Sequence, residues 1–308
     1  MPPRITVVGS LNTDLVIRAP HLPSVGETVT GGEFATFPGG KGANQAVAAA
    51  RLGARVAMVG CVGGDDFGRR LTDGLRQDGV DVTHVRVDAE SASGTALITV
   101  DPQGQNTIVV APGGNRRLTP EDVARAEALI AESSVLLVQL EVPVDAVLAA
   151  ARLAHARGVR VVLDPAPAPR QPLPAELYRL VDVLTPNEGE AAALSAVTVT
   201  DEGAAGMAAA HLLRAGTRAV VIKLGARGAF VHDGTRSEMV PGIRVDAVDT
   251  TAAGDAFAGA LAVGLAEGKD LIDAVHFANA AGALSVTRRG AQPSMPFRAE
   301  VEAFAQRP

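Results

Sequence analysis

The stretch that decides the fold and the chemistry of this chain reads Val248-Asp249-Thr250-Thr251-Ala252-Ala253-Gly254-Asp255-Ala256-Phe257. It joins a strand-like run at 243–248 to a long apolar pattern of helical period that begins near residue 256. Small residues at 252–254 leave backbone N–H groups accessible at the helix start, where unpaired donors and the helix dipole attract anions. Asp255 follows at once, and we expect its place at a helix N-terminus to keep it ionised. An anion pocket beside a general base is what phosphoryl transfer to a hydroxyl requires.

The composition is that of a folded α/β protein with a substantial core. The chain has 308 residues, of which 47% are hydrophobic and 20% charged, so wholesale disorder is not expected. The net charge of −6 argues against general binding to nucleic acid or anionic membranes. No apolar run approaches the ~18 residues that span a bilayer, and no signal-peptide core precedes Asn12, so we expect no membrane partner and a cytoplasmic location. The single cysteine, Cys61, lies in an apolar run and is expected to be a small buried hydrophobe.

Apolar runs of strand length alternate with amphipathic helical patterns along most of the chain. The predicted strands are 5–9, 56–60, 135–140, 159–163, 181–184 and 219–223, and the predicted helices are 42–52, 67–78, 120–132, 144–157, 188–195 and 203–215. Because the strands are continuously apolar rather than alternating, both faces of their sheet should be covered. The sequence therefore predicts one α/β domain over 1–308, built as three layers around a mainly parallel central sheet.

Two stretches break this alternation, at about 12–37 and 94–111. The first mixes polar and apolar residues with several prolines and glycines, and the second reads as a hairpin that turns at 102–105. Antiparallel segments that interrupt a parallel sheet often form an accessory subdomain. We therefore expect these two stretches to form a small β-lid.

A glycine-rich segment, Gly39-Gly40-Lys41-Gly42-Ala43-Asn44, opens the first long helix. Its glycines allow a ligand to approach the backbone, and Lys41 and Asn44 offer donors to hydroxyl groups. Alone, such a segment is weak evidence, because many glycine-rich helix starts are turns. The chain has neither a Walker A loop nor a dinucleotide fingerprint after its first strand, which disfavours a P-loop kinase and a dinucleotide-binding protein.

Polar pairs follow two of the predicted strands. Asn12 and Asp14 lie at the carboxyl end of the first strand, where open α/β sheets bind ligands, and their spacing lets both side chains point toward sugar hydroxyls. From these residues alone, an Asx turn is the simpler interpretation. Asn187 and Glu190 fit either a helix capping box or the shell around a hydrated Mg²⁺ on nucleotide phosphates.

Taken together, these motifs resemble the ribokinase-like family of sugar and nucleoside kinases. The match runs in order through 9–14, 26–29, 39–46, 139–141, 165–168, 185–188, 249–255 and 290–294. Each segment is modest evidence, but their order and spacing together are highly specific. The resemblance implies a doubly covered sheet with a β-lid, a homodimer formed through the lids, and phosphorylation of D-ribose at its 5-hydroxyl by ATP with Mg²⁺.

The resemblance also implies a role for individual residues. Asp255 would be the base, and the backbone N–H groups of Ala252, Ala253 and Gly254 would form the anion hole. Ribose would be held by Asn12, Asp14, Gly40, Lys41, Asn44, Glu141 and Asp255. The nucleotide would contact Asn187, Lys223, Gly225, Gly228, Gly254 and Asn279, with Glu190 ordering the waters of Mg²⁺. An activating K⁺ would be held, largely by backbone carbonyls, by Asp249, Thr251, Ser285, Arg288, Gly290 and Ser294.

Three positions depart from the family pattern and leave some contacts open. Thr251 replaces a bulkier aliphatic residue, Lys223 a hydroxyl residue and Asn279 a histidine. The alternatives are a sibling kinase for deoxyribose, another sugar or a nucleoside, and a non-catalytic sugar-binding regulator. The chain has no Trp and one Tyr, which gives little support to a base-stacking nucleoside pocket. Asp255 beside an intact run of small residues argues against a non-catalytic protein.

Overall fold

The computed structural model describes residues 2–306. The strands are β1 (Arg4–Val8), β2 (Asn12–Arg18), β3 (Phe34–Gly39), β4 (Arg55–Gly63), β5 (Asp81–Asp88), β6 (Gly94–Val100), β7 (Asn106–Ala111), β8 (Val135–Gln139), β9 (Arg160–Asp164), β10 (Val183–Leu184), β11 (Ala219–Lys223), β12 (Gly228–His232) and β13 (Ser237–Pro241). The α-helices are α1 (Lys41–Arg51), α2 (Asp66–Gln77), α3 (Pro120–Arg125), α4 (Glu127–Ala131), α5 (Val144–Ala156), α6 (Ala175–Leu180), α7 (Glu188–Ser195), α8 (Glu202–Ala215), α9 (Ala253–Ala266), α10 (Leu271–Ser285) and α11 (Arg298–Ala305). Short 3₁₀ turns lie at Gly113–Arg117, Gly225–Arg227 and Gln292–Ser294.

Nine of the strands form one central sheet in the order β13-β12-β11-β10-β9-β8-β1-β4-β5. The strands from β11 to β5 run parallel, and β12 and β13 add an antiparallel edge. All five residues of β8 are buried, as expected for a strand covered on both faces. One apolar cluster joins the sheet to α1, α2, α9, α10 and α11, and a second joins its other face to α3–α8. The predicted three-layer, mainly parallel architecture is confirmed.

Most of the predicted elements occur with small shifts at their ends, and two differ. The predicted helix 120–132 is divided into α3 and α4 at Ala126. The strand-like run 243–248 is not a strand, so that prediction is wrong. The central sheet ends at the edge strand β13, and residues 243–248 have no strand partner in the described part of the chain. Of these, residues 243–247 line a cavity described below.

The remaining four strands form a separate sheet in the order β3-β2-β6-β7, which we call the lid sheet. β6 and β7 form the hairpin predicted at 94–111, and the Asp101 carboxylate accepts the N–H groups of Gln103 and Gln105 in its turn. Asn12 and Asp14 begin β2 and share one face of it, because side chains two residues apart in a strand point the same way. The lid sheet therefore starts directly at the carboxyl end of β1.

A single glycine fixes how α1 meets the lid sheet. Gly40 precedes α1 with φ +89°, in the left-handed region that favours glycine. A Cβ added there would lie 2.6 Å from the backbone nitrogen of Asn12. The backbone at the start of α1 therefore packs directly on the start of β2, which brings residues 40–45 beside residues 10–14.

Candidate active site

The carboxyl ends of the central strands and the first turns of α1, α7 and α9 enclose a cavity of about 570 Å³. Because this edge of an open parallel sheet is where ligands bind, its lining residues are the first candidates for chemistry. Charged side chains dominate the lining: Lys41, Asp164, Glu188, Glu190, Lys223 and Asp255. The cavity thus places lysines and carboxylates around the start of α9.

The start of α9 has an unusual backbone that presents its first amides to this cavity. Ala252, which precedes the helix, has φ 59° in the left-handed region, a conformation that non-glycine residues rarely adopt and that tends to occur at functional sites. Gly254 lies in the first turn, where amides have no acceptor within the helix. The Ala253 N–H points at the Thr250 carbonyl over a long 3.3 Å. This helix start has the geometry of an anion site.

Asp255 lies in the first turn of α9 and is 4% exposed. Its two oxygens accept hydrogen bonds from Asn44 Nδ2 at 2.9 Å and from Gln45 Nε2 at 3.0 Å. Burial raises the pKa of this carboxyl, Asp164 raises it further, and Lys41 and the two amides oppose that rise. Burial therefore opposes the ionised form of Asp255 that we expect the helix N-terminus to favour, and the charge of Lys41 supports that form.

A chain of buried side chains connects Asp255 to a second carboxylate. Gln45 Nε2 also donates to Asp164 Oδ2 at 2.8 Å, and Gln45 Oε1 accepts from Gln139 Nε2 at 2.6 Å. The other oxygen of Asp164 forms an ion pair with Lys223 Nζ at 2.7 Å. Gln45, Gln139 and Asp164 are all at most 1% exposed. Asp255 is thus held in a fixed hydrogen-bond network rather than in open solvent.

On the lid side of Asp255, Glu141 organises a second polar cluster. Its Oε2 accepts from Ser10 Oγ at 2.6 Å, from the Lys41 N–H at 3.1 Å and, more weakly, from Asn12 Nδ2 at 3.4 Å. The side-chain oxygen of Asn12, Oδ1, accepts from Asn115 Nδ2 at 2.7 Å. These bonds fix the orientation of the Asn12 side-chain amide. Asn12 is the first residue of strand β2, so the interpretation as an Asx turn is wrong.

Two groups near this cluster are poised to bind hydroxyls. Burial, together with the nearby charges of Glu141 and Asp255, raises the pKa of Asp14 to about 7, against an opposing effect of Lys41. The Asn44 side-chain oxygen is buried and has no hydrogen-bond partner among the described residues. A buried acceptor without a partner is costly and suggests that a ligand hydroxyl satisfies it.

A second cavity of about 700 Å³ adjoins the first on the far side of α9. Lys223, Gly225, Thr250, Ala253 and Gly254 line both cavities, so the two are continuous. The rest of this cavity is mainly small or apolar and includes Gly228, residues 242–247, Phe257, Asn279, Gly282 and Val286. An elongated molecule with an apolar end and an anionic end would fit across both.

Asn187 and Glu190 form the capping box of α7. Asn187 Oδ1 accepts the Glu190 N–H and Glu190 Oε2 accepts the Asn187 N–H, both at 2.8 Å. Both residues line the 570 Å³ cavity, and burial raises the pKa of Glu190 against the effect of Lys223. The capping-box interpretation of this pair is therefore correct. The second carboxylate oxygen of Glu190 and the side-chain NH₂ of Asn187 are not used by the capping box.

Of the residues predicted to hold K⁺, Asp249, Thr251 and Gly290 are linked directly by hydrogen bonds. The Asp249 carboxylate accepts the N–H groups of Thr251 and Gly290, each at 2.9 Å, and these hydrogen bonds lower its pKa although burial opposes them. The hydroxyls of Ser285 and Ser294 donate to the carbonyls of Gly282 and Ala291. Because these side-chain oxygens already form hydrogen bonds, the backbone carbonyl oxygens of segments 249–251 and 285–294 are the candidate ligands for a cation. No group of three or more His, Cys, Asp or Glu side chains suited to a metal occurs within residues 2–306.

Comparison with known proteins decides the class of this site. Residues 2–298 match the pfkB family of carbohydrate kinases. The chain belongs to this family. It is 46% identical to the ribokinase of Haemophilus influenzae over 302 residues, which cover 98% of both chains. It is similar to Arabidopsis thaliana ribokinase complexed with ribose and ATP (TM-score 0.91, 33% identity, 100% of both chains). It is also similar to an E. coli structure in complex with ATP and Mg²⁺ (TM-score 0.81, 27% identity, 99% of both chains).

Membership of the pfkB family confirms the resemblance read from the motifs. Several residues of this pfkB site were nevertheless missed in the sequence: Ser10, Gln45, Asn115, Gln139 and Asp164. Asp164 had a usable signal, because it is a carboxylate at the end of a continuously apolar strand, the position that singled out Asn12 and Asp14. Asn115 had none, since it lies in a 3₁₀ turn distant in sequence from its partners. No helix within residues 2–306 of this pfkB kinase is long and apolar enough to cross a membrane.

Proposed function

We propose that this pfkB kinase transfers the γ-phosphoryl group of ATP to the 5-hydroxyl of D-ribose, giving ribose 5-phosphate and ADP. One observation carries the proposal: the buried carboxylate Asp255 lies between a cluster of hydroxyl-binding groups and a helix start suited to anions. The full-length relatives and the complex with ribose and ATP support ribose as the acceptor. The reaction makes the chain a phosphotransferase with an alcohol acceptor.

A coupled assay of ADP release with D-ribose, 2-deoxyribose, fructose and adenosine tests this assignment. We expect D-ribose to give the highest kcat/KM, because Asn12, Asp14, Asn44 and Glu141 supply many groups for hydroxyls and the site has few aromatic rings. A clear preference for fructose or adenosine would replace ribose with a sibling substrate. No sugar-dependent ADP release at all would favour a non-catalytic binding protein.

In the proposed mechanism, Asp14, Asn44 and Glu141 hold the sugar with its 5-hydroxyl against Asp255, together with Asn12, Gly40 and Lys41. Asp255 accepts the hydroxyl proton late, as the oxygen bonds to the γ-phosphorus and the bond from phosphorus to the β,γ-bridging oxygen breaks. The N–H groups of Ala252, Ala253 and Gly254 stabilise charge on the transferring group. Closure of the lid sheet over the sugar would exclude water and limit ATP hydrolysis.

The nucleotide is proposed to occupy the two continuous cavities. Its base would lie in the apolar cavity near Gly225, Gly228 and Asn279, and its phosphates would point past Lys223 and Gly254 toward Asp255. Mg²⁺ bound with the nucleotide neutralises phosphate charge and keeps most of its own waters. Glu190 and Asn187 line the 570 Å³ cavity, which we call the phosphate cavity. The oxygen of Glu190 outside the capping box and the Asn187 amide would suit hydrogen bonds to these waters. Because ATP is an intracellular substrate, we also propose a cytoplasmic location.

The raised pKa of Asp14 predicts a pH dependence of ribose binding. The ionised carboxylate is the better acceptor for sugar hydroxyls, so KM for ribose should fall as pH rises through about 7. The sign for stability is opposite: the pKa is raised on folding, so the contribution of Asp14 to the free energy of unfolding is present below the unfolded pKa and is lost as pH rises toward about 7. Steady-state KM measurements across this range give the profile. In Asp14→Asn this dependence should disappear, and its persistence would assign it to another group.

We propose K⁺ as an activator that binds between segments 249–251 and 285–294. Carbonyl oxygens there suit a weakly hydrated monovalent ion, and Asp249 already ties the two segments together in front of Ala252. At constant ionic strength, replacing tetramethylammonium with K⁺ should raise kcat several-fold, because a braced loop holds the anion hole in place. An unchanged rate would remove K⁺ from the proposal.

We further propose that two copies pair through their lid sheets. Strand β7 is an edge strand whose six residues are all exposed, and it carries Ile108, Val109 and Val110. Leu97 in the adjacent strand β6 is 55% exposed, and Phe34 in β3, at the other edge of the lid sheet, is 61% exposed. Edge strands with exposed apolar side chains favour association with another chain.

Sedimentation velocity tests this pairing. The wild-type protein should sediment as a dimer, and the double variant Leu97→Asp/Val109→Asp should sediment as a monomer, because directly paired positions then place charges at the interface. Met207→Asp is the matched control, since Met207 is 59% exposed on α8, outside the lid sheet. A wild-type monomer, or a double variant that remains a dimer, would contradict pairing through the lid sheet.

A further inference from the structure

Lys223 occupies an unusual position between the two cavities. It ends β11, and its backbone N–H donates to the Pro186 carbonyl at 2.8 Å, which fixes the start of its side chain. Its ammonium is 2.7 Å from Asp164 Oδ1 and lies 3.5 Å from the place where a Cβ on Gly254 would be. The same charge group therefore faces a buried carboxylate on one side and the first turn of α9 on the other.

The two partners of this ion pair differ in their access to solvent. The Asp164 side chain is 1% exposed and also accepts a hydrogen bond from Gln45, whereas the Lys223 side chain is 12% exposed and lines both cavities. A buried ion pair gains little net stability over an apolar pair, because desolvating both charges is costly. A purely structural pair would need no contact with the cavities, so the position of the ammonium points to a ligand.

The carboxylates that line the phosphate cavity create a need for positive charge, which Lys223 supplies. Asp164, Glu190 and Asp255 line the phosphate cavity, and Lys223 acts on Glu190 as well as on Asp164. These carboxylates would repel a triphosphate, and Lys41 and Lys223 are the lysines that line the cavity. Lys41 reaches the cavity from the start of α1 and acts chiefly on Asp255, whereas the Lys223 ammonium lies beside Gly254 in the first turn of α9.

We propose that Lys223 is a catalytic residue that exchanges partners during the reaction. Without nucleotide its ammonium neutralises Asp164, and with ATP in place it turns to the γ-phosphoryl group at the start of α9. It stays protonated throughout and stabilises charge on the phosphoryl group while the bond to ADP breaks and the bond to the sugar oxygen forms. Asp164, relieved of that partner, keeps its hydrogen bond from Gln45. The proposal rests on the proposed kinase function of the same site.

Three variants separate this role from a structural one: Lys223→Met, Asp164→Asn and the double variant. Lys223→Met alone leaves Asp164 buried without a counterion, so it should lower the thermal midpoint and also lower kcat by ~10²-fold, as for loss of one preorganised charge donor. The double variant removes that uncompensated charge and should recover the thermal midpoint. Its kcat should stay low, because the ammonium is still missing. Recovery of kcat in the double variant to the level of Asp164→Asn would overturn the proposal.

Nucleotide binding provides a readout that does not depend on the sugar. By calorimetry with Mg²⁺, Lys223→Met in both backgrounds should weaken a non-hydrolysable ATP analogue more than it weakens ADP, because only the analogue carries the γ-phosphoryl group. Equal weakening of both nucleotides would overturn the proposal. Lys269→Met, at an exposed position after α9, is the matched control and should change neither affinity. This arm remains readable even if ribose proves not to be the acceptor.

Discussion

Replacing Asp255 with asparagine is expected to lower kcat by ~10²-fold or more, the effect of losing a positioned base. The variant keeps the shape of the side chain but loses the charge that receives the hydroxyl proton. It also turns an amide NH₂ toward one of the two donors that now bond the carboxylate, Asn44 Nδ2 and Gln45 Nε2. Ribose affinity should change much less than kcat, because Asp14, Asn44 and Glu141 still face the sugar.

Steady-state kinetics by ADP release, with ribose binding measured separately by calorimetry, distinguishes these effects. Asp273→Asn is a suitable control, since Asp273 is exposed in the first turn of α10 and lines neither cavity. Near-normal turnover in Asp255→Asn would remove Asp255 from the role of base. A loss of ribose binding equal to the loss of kcat would make it a binding residue only.

The electrostatics of Asp255 also set a condition on the wild-type enzyme. Burial and the neighbouring Asp164 raise the pKa of Asp255, whereas a base must be ionised to accept a proton. Lys41 supplies the compensating charge: although burial disfavours its charged form, Asp255, Asp164, Glu141 and Glu190 raise its pKa. For Asp255 to act as the proposed base, its ionised form must therefore be supported by a lysine from another helix and by hydrogen bonds from Asn44 and Gln45.

The parts of this molecule that sequence reasoning predicted are those governed by local pattern. Continuous apolar runs identified strands such as β8 because burial on both faces leaves no polar alternation. Small residues before Asp255 identified the start of α9, because the accessibility of the first backbone N–H groups of a helix depends only on the residues next to them. Residues 243–248 show where local pattern fails: their composition suits a strand, but they do not pair with the open edge of β13, and 243–247 line the larger cavity instead.

The parts that could not be predicted depend on contacts between distant segments. Gln45 lies in a helix with buried neighbours on all sides, and nothing in the sequence shows that its amide meets Asp164 and Asp255. The pKa of Asp255 could not be predicted for the same reason. A helix N-terminus favours its charge, and only the three-dimensional structure shows that burial raises its pKa. Family resemblance pointed to Asp255 and the proposed sugar-binding residues but not to the network that holds Asp255.

Gln45 is the residue of that network whose replacement should have the next largest effect. Its single NH₂ group donates to both Asp164 and Asp255, and Gln139 fixes its orientation from behind. In Gln45→Met the volume is nearly kept, but two buried carboxylates face each other with no donor between them. Hydrogen bonds to charged groups contribute about 1.5–3 kcal/mol, so kcat near neutral pH should fall by ~10-fold or more.

The form of the pH profile shows whether Gln45 positions and ionises the base or only supports the fold. Without the shared donor, repulsion between Asp164 and Asp255 favours the protonated base, so the acid limb of kcat should move to higher pH and activity should approach the wild-type value in alkaline buffer. A merely structural loss would lower kcat by the same factor at every pH and leave the limb in place. Gln103→Met, in the turn of the lid sheet, should alter neither limb nor plateau, because its side chain lies outside the cavity. An unshifted limb in Gln45→Met would mean that the Gln45 amide has no part in ionising the base, and Lys41 and Asn44 would then be its supports.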